Sequence, residues 1–102
     1  MRKLIYIAGR FRAKTPYEIH LNVIHAEAAS LRLAKQGYDF ICPHTQTQNF
    51  QNALPDKRWL EMCLHWLRLC DSIYLLRGWQ TSKGSVEEEK VAEELGLELM
   101  YE

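Results

Sequence analysis

The sequence predicts a doubly wound α/β fold, a parallel sheet of about four strands with helices on both faces. Three observations predict it. Short apolar runs alternate with longer segments of helical period, in the order β-α-β-α-β-α-β. The runs are nearly continuous rather than alternating, as in strands buried on both faces. Gly or Pro punctuates most of the boundaries. The 102 residues suit one compact domain over 1–102. Apolar residues make up 47% and charged residues 25%, ordinary for a soluble globular chain. A formal net charge of zero offers nothing to a nucleic-acid polymer or a membrane surface. No apolar run approaches the roughly 20 residues of a membrane span. The apolar run that follows Met1-Arg2-Lys3 breaks at Gly9 and Arg10, too early for a signal sequence. The cysteines are Cys42, Cys63 and Cys70, an odd count that suits reduced thiols in a cytoplasm.

Each element has its own signal. Residues 3–8, "KLIYIA", form the first buried strand. "GRFRAKTP" is a basic loop, and residues 17–36 form a helix with Ile24, Ala28, Leu31 and Ala34 at helical spacing, Leu21 and Ala29 beside them, and Gly37 closing it. "YDFIC" is the second strand, stopped by Pro43, and "HTQTQNFQNALP" reads as a polar loop. Asp56 caps a helix running from Lys57 to about Cys70. "SIYLL" is the third strand, "RGWQTS" a loop, residues 84–95 a third helix closed by Gly96, and "LELMY" the last strand. This alternation implies right-handed crossovers and a flavodoxin- or Rossmann-like sheet. In such sheets ligands sit beyond the carboxyl ends of the strands, where strand order reverses. The loops 9–16 and 77–84 are expected to flank that crevice.

The last helix carries "SKGSVEEEK" at its start. At about 100° per residue, Val91, Ala92 and Leu95 fall within about 60° of Glu88, so Glu88 lies in the middle of the helix's apolar line. Glu87 and Glu89 lie about 100° to either side and read as surface charge, with Lys83 and Lys90 spaced for ion pairs with Glu87. Gly84 leaves space one turn before Glu88. The simpler account is a capping box, with Glu88 reaching back to the backbone N–H of Ser85.

With these residues placed, the sequence resembles the nucleoside 2-deoxyribosyltransferase-like superfamily. That group includes the deoxynucleoside 5'-monophosphate N-hydrolases, and the resemblance is nearest to a small phage and bacterial branch. "YIAGRFR" resembles the first-strand signature, "CDSIYLLRGW" the third strand and its exit, "SKGSVEE" the serine-glycine-glutamate motif, and "ICPHTQT" the branch's second-strand ending. The resemblance implies that Glu88 attacks the anomeric carbon of a sugar and that Tyr6 positions it. Gly9, Arg10, Arg12, Ser82, Gly84 and Ser85 fall in the substrate- and phosphate-binding loops. There Arg12 and Ser82 match the phosphate-holding positions, consistent with charge-assisted bonds and a helix start. Arg10, Arg12 and Lys14 also form a basic cluster after the first strand, which suits an anion. His44 and Cys63 are candidate substrate contacts. The sequence departs from the hydrolases at three positions. Cys63 stands where they have an aspartate, Arg10 where they have a serine, and Ala13 where glycine is common. A thiol with a reference pKa near 8.5 is a poor acid for assisting base departure.

No cofactor is expected, since neither GxGxxG nor GxxxxGK[ST] occurs. No metal is expected, since His20, His25 and His65 show no zinc spacing with the cysteines. The helix over 57–70 is apolar almost all round, which predicts a homodimer or larger assembly through it. The resemblance implies the same, related enzymes being oligomers with sites near the interface. Three functions stay open: N-glycosidic cleavage or transfer on a nucleoside or its 5'-monophosphate through Glu88, a non-catalytic nucleotide-sensing module on the same fold, and an interaction protein built around the Trp-rich helix.

Overall fold

The structure is a computed structural model that describes residues 2–47, 49–50 and 52–102. Four strands, β1 (Leu4–Ala8), β2 (Asp39–Ile41), β3 (Ser72–Leu75) and β4 (Glu98–Tyr101), form one sheet in the order β2-β1-β3-β4. Every pairing is parallel, with Tyr6 opposite Ile41 on one side and Ile73 on the other. The chain steps outward from β1 to β2 and then returns to the far side of β1 for β3. Strand order therefore reverses between β1 and β3, and the loops leaving those two strands open side by side.

Helix α1 (Pro16–Lys35) begins with Thr15 as N-cap, whose hydroxyl accepts the Glu18 N–H at 3.1 Å, and with Pro at the first helical position. It ends in Gly37, at φ +96°, where a left-handed residue lets the Tyr38 N–H reach back to the Leu33 carbonyl. Residues 43–46 form a one-turn helix, α2 (Pro43–Gln46), where the sequence suggests a polar loop. Pro43 suits a first helical position, and the Cys42 carbonyl accepts both the Thr45 and Gln46 N–H groups. Helix α3 (Asp56–Arg68) is preceded by Pro55 as N-cap, so Asp56 is its first residue rather than its cap. A short 3-10 turn, Trp79–Thr81, leads into α4 (Lys83–Glu94).

Alternation along β1 divides the core. Ile5 and Ile7 face α1, packing with Ala26, Ala29 and Leu33. Tyr6 and Ala8 face the opposite side, packing with Leu67, Ile73, Leu75 and Ala92. Thus α1 covers one face, and α3 and α4 cover the other. The helices meet these faces differently from what periodicity suggests. The buried residues of α1 are Val23, Ala26, Ala29, Ser30 and Leu33. The line expected to be its core, Leu21, Ile24, Ala28, Leu31 and Ala34, is exposed together with Tyr17. On α3, Leu67 is fully buried and Cys63, Leu64 and Trp66 pack on the sheet side, while Trp59 stacks on the exposed Phe50 and Leu60 and Met62 are half-buried.

Candidate active site

The site begins with Tyr6. Its place on β1 sends a phenol into the α3–α4 side of the sheet, where it is fully buried. A buried phenol O–H needs a partner, and it donates to Glu88 Oε2 on α4. Glu88 is only 7% exposed, although it is flanked by two further glutamates. The helix phase separates the three. Glu87 is exposed and forms no ion pair with Lys83 or Lys90 among the described residues. Glu89 is half-buried rather than plain surface charge, because its carboxylate accepts the Tyr101 O–H at 3.0 Å.

The capping-box account of Glu88 does not hold. The N-cap is Ser82, whose Oγ accepts the Ser85 N–H at 3.2 Å. Helix α4 starts at Lys83, so Glu88 is its sixth residue and lies beyond the first turn, where a helix end most favours a negative charge. Burial therefore dominates. It pushes the Glu88 carboxyl up from 4.5 to about 7, with the Tyr6 hydrogen bond pulling back part of the shift. Burial, and then the Glu88 charge, raises the Tyr6 phenol well above its ordinary value. As the pH rises through about 7 the carboxyl loses its proton while the phenol keeps its own.

Cys63, on the inner side of α3, is the third member. Its thiol is within hydrogen-bonding reach of the Tyr6 phenol. Burial and then the Glu88 charge push the Cys63 thiol up to about 11, so it stays neutral. Three elements, β1, α3 and α4, thus deliver one carboxylate, one phenol and one thiol to a single buried cluster.

Around it, the first turn of α4 leaves room. A Cβ placed on Gly84 would find nothing closer than Ser82 Oγ at 4.0 Å. Ser85 is 1% exposed, and its Oγ has no hydrogen-bond partner among the described residues. An unpaired buried hydroxyl one helical turn before Glu88 is the kind of group a ligand can satisfy.

The first loop packs tightly at its root. A Cβ on Gly9 would lie 2.6 Å from Leu76 Cδ1, so only glycine lets the β1 and β3 exits approach this closely. Arg10 crosses the crevice and lays its guanidinium on Gly78, where a Cβ would come within 3.0 Å of Nε, Cζ and Nη2. Gly78 sits at φ +90°, which favours glycine independently. Sequence reasoning missed Gly78, and its signal was the glycine directly after Arg77 at a strand exit. Arg12 lies outside, exposed, donating from Nη2 to Asp56 Oδ1 at the start of α3. Asp56 was a helix cap on sequence grounds and proves to be the partner of Arg12.

His44 is buried on α2 and is not a polar loop residue. Its Nε2–H donates to the Arg10 carbonyl at 2.8 Å, and its ring meets Phe11 edge-on at 5.9 Å. Burial lowers its pKa, so the neutral ring serves as a strut under the first loop. Its Nδ1 has no hydrogen-bond partner among the described residues. Among the described residues, no helix is long and apolar enough to cross a membrane and no group of three or more His, Cys, Asp or Glu could hold a metal ion.

A family model described as "Domain of unknown function (DUF4406)" matches residues 3–101. The chain belongs to the DUF4406 family. A search of curated proteins returned no match. Among solved structures, the DUF4406 chain is similar to a 2-desoxiribosyltransferase from Leishmania mexicana, with a TM-score of 0.68 and 21% sequence identity. That alignment covers 97% of this chain and 63% of the other, so the chain spans less than two-thirds of the length of its neighbour. The likeness establishes the deoxyribosyltransferase-like α/β fold, with its parallel sheet and helices on both faces.

Proposed function

We propose that this DUF4406 chain binds a nucleoside or its 5'-monophosphate and cleaves or transfers at the N-glycosidic bond through Glu88. The observation that carries the proposal is the buried Tyr6–Glu88 pair. A carboxylate withdrawn from water, held in one orientation by a phenol and raised to about 7, is poised to react near neutral pH. The fold supports the same proposal, since the structural neighbour is named for a deoxyribosyltransferase.

In the proposed reaction the free Glu88 oxygen attacks the anomeric carbon. The C–N bond breaks, its electron pair leaves with the base, and a glycosyl ester forms. Water, or a second base, then attacks that carbon, the ester C–O bond breaks to release the carboxylate, and the proton lost by the attacking group passes through solvent to the departed base. Tyr6 holds the non-attacking oxygen throughout and supplies no proton of its own. Ser85, Ser82 and the space over Gly84 receive the sugar or its phosphate, with Arg10 lying on Gly78 and the Gly9 turn fixing the loop. Arg12 joins a phosphate only after leaving Asp56, a small step for an exposed ion pair.

One observation favours a second function, nucleotide sensing without turnover on the same fold. The thiol of Cys63 is neutral to about 11 and gives a departing base little acid assistance. The two proposals separate in one experiment. Wild type and Glu88→Gln are incubated with a panel of deoxynucleosides, ribonucleosides and their 5'-monophosphates, and free base is measured by chromatography. Release by wild type and none by Glu88→Gln supports glycosidic chemistry. Saturable binding by calorimetry with no release across the panel supports sensing. Neither release nor binding, from folded protein, overturns both.

A further inference from the structure

The buried cluster of Tyr6, Cys63 and Glu88 offers a nucleophile but lacks an acid for the departing base. When a glycosidic C–N bond breaks, its electron pair goes to the base, and a neutral base departs as an anion unless a proton reaches it. Glu88 is committed to the anomeric carbon. The Tyr6 phenol donates to Glu88 Oε2, and burial and the Glu88 charge hold its proton in place. The buried thiol of Cys63 keeps its proton up to about 11. No fourth titratable side chain among the described residues shifts any of these three. The buried histidine, His44, is turned to the first loop, with Nε2 on the Arg10 carbonyl and its ring neutral. Asp56, at the start of α3, is exposed and bound to Arg12.

The cluster also lacks a countercharge. Glu88 is buried and forms no ion pair among the described residues. Burying a carboxylate is unfavourable unless a cation accompanies it. The arginines of the first loop do not supply one: Arg12 is held by Asp56, and the Arg10 guanidinium lies on Gly78. The ionised carboxylate that the attack requires is therefore without a positive partner inside the protein.

One property of a substrate answers both deficits. We infer that the site acts on N-glycosides whose base already carries a positive charge, such as a pyridinium or an N7-alkylated purine nucleotide, because such a base brings the missing cation to Glu88 and departs without a proton. The inference rests on the attack by Glu88 proposed above and names the class of base attacked. In such a substrate the charged ring is bonded directly to the carbon that Glu88 attacks, so the positive charge enters beside the carboxylate and favours its ionised form. The free Glu88 oxygen then bonds to the anomeric carbon as the C–N bond breaks. The electron pair of that bond passes to the ring nitrogen and cancels the charge of the base, which leaves as a neutral molecule. Water attacks the glycosyl ester, the ester C–O bond breaks, the carboxylate returns, and one proton goes to solvent in each turnover.

The test compares charged and neutral bases on the same sugar phosphate. Nicotinamide mononucleotide is set against uridine 5'-monophosphate, and N7-methylguanosine 5'-monophosphate against guanosine 5'-monophosphate, each as riboside and 2'-deoxyriboside. Free base is measured at a pH where the methylated base is cationic, with the uncatalysed rate subtracted. Wild type is expected to release the cationic base with a kcat/KM at least about 100-fold above its neutral counterpart, the low end of what an acid contributes. The pyridinium and purine arms show which cation the site takes. Cys63→Asp places a carboxyl beside Glu88, whose charge keeps that new group protonated, and is expected to narrow the ratio at least about 10-fold. The ratio in wild type decides the matter even where Cys63→Asp does not fold. Equal release from neutral and cationic substrates, or release from the neutral ones alone, overturns the inference and leaves attack by Glu88 standing if Glu88→Gln abolishes it. A folded Cys63→Asp with an unchanged ratio also overturns it. Release from neither class overturns the inference together with the glycosidic reaction.

Discussion

Helices α1 and α4 depart from simple amphipathic packing in opposite directions. Helix α4 turns a carboxylate inward: Glu88 lies in line with Ala92, which is fully buried, and Val91, which is half-buried. Helix α1 turns Tyr17, Leu21, Ile24 and Leu31 outward and seats on the sheet through smaller residues. Ala26, Ala29 and Ser30 let it lie close on Ile5 and Ile7, and the Ser30 hydroxyl is satisfied by the Ala26 carbonyl at 2.8 Å. A buried ionisable group without a structural ion-pair partner and an exposed apolar stripe are both unfavourable for a lone folded chain. Each departure therefore marks a feature that folding alone does not require, a buried carboxylate in α4 and an apolar stripe in α1.

The sharpest way to break the comparison is at Glu88. Glu88→Gln is expected to reduce base release by about 1000-fold or more, since it removes the nucleophile. The same substitution is expected to stabilise the fold at pH 8. The carboxyl titrates near 7 in the folded chain and near 4.5 in the unfolded chain. Its contribution to stability is thus full below about pH 4.5, is lost as the pH rises through about 7, and above that leaves a penalty on the order of 3 kcal/mol. A thermal or denaturant melt at pH 8 and at pH 4.5 should show the gain only at the higher pH.

Next in size is the true inner face of α1. Ala29→Asp places an unpaired carboxylate against Ile5 and Ile7 and is expected to cost about 3 kcal/mol or more in denaturant unfolding. Ile24→Gln, five residues earlier on the outer face, is expected to cost the folded chain no more than about 0.5 kcal/mol. Equal costs at the two positions would erase the distinction between the faces.

Tyr6→Phe is expected to slow release by about 10- to 100-fold, with the chain still folded. The phenol's hydrogen bond lowers the Glu88 pKa, so its loss raises that pKa further. Release that rises with pH through about 7 in wild type should therefore rise at higher pH in the variant. The smallest effect is expected at the Arg12–Asp56 ion pair, which is well exposed. Asp56→Asn should change stability by less than about 1 kcal/mol, while tightening any 5'-monophosphate relative to its nucleoside by freeing Arg12.

Much of the fold was legible in the residues. Near-continuous apolar runs announced β1 and β3, and Gly37 and Gly96 announced the ends of α1 and α4. Helical phase alone singled out Glu88 from its two neighbours, and Gly84 marked the space near it. The remainder depends on contacts between distant segments. Periodicity identifies an apolar stripe but not the direction it faces, so Leu21, Ile24 and Leu31 read as core beside Ala29, when Ala26 and Leu33 join Ala29 in that place. A capping box at Ser85 and a true cap at Ser82 differ by one turn of the same serine-rich segment, and only the backbone course separates them. The pairing of Arg12 with Asp56 joins residues 44 positions apart, with no local pattern to reveal it. Cys63 could be placed beside Tyr6 only by analogy, and its thiol meets the phenol because β1 and α3 converge there.

The most direct test of the account is the titration of the Glu88 side chain, followed by carboxyl-carbon NMR in protein labelled at glutamate. Glu88→Gln provides the assignment. The account predicts a midpoint near 7, well separated from the other glutamates, that moves upward in Tyr6→Phe. A midpoint near 4.5 that ignores the loss of the phenol would show that Glu88 is an ordinary solvated carboxylate, and the candidate active site would fall with it.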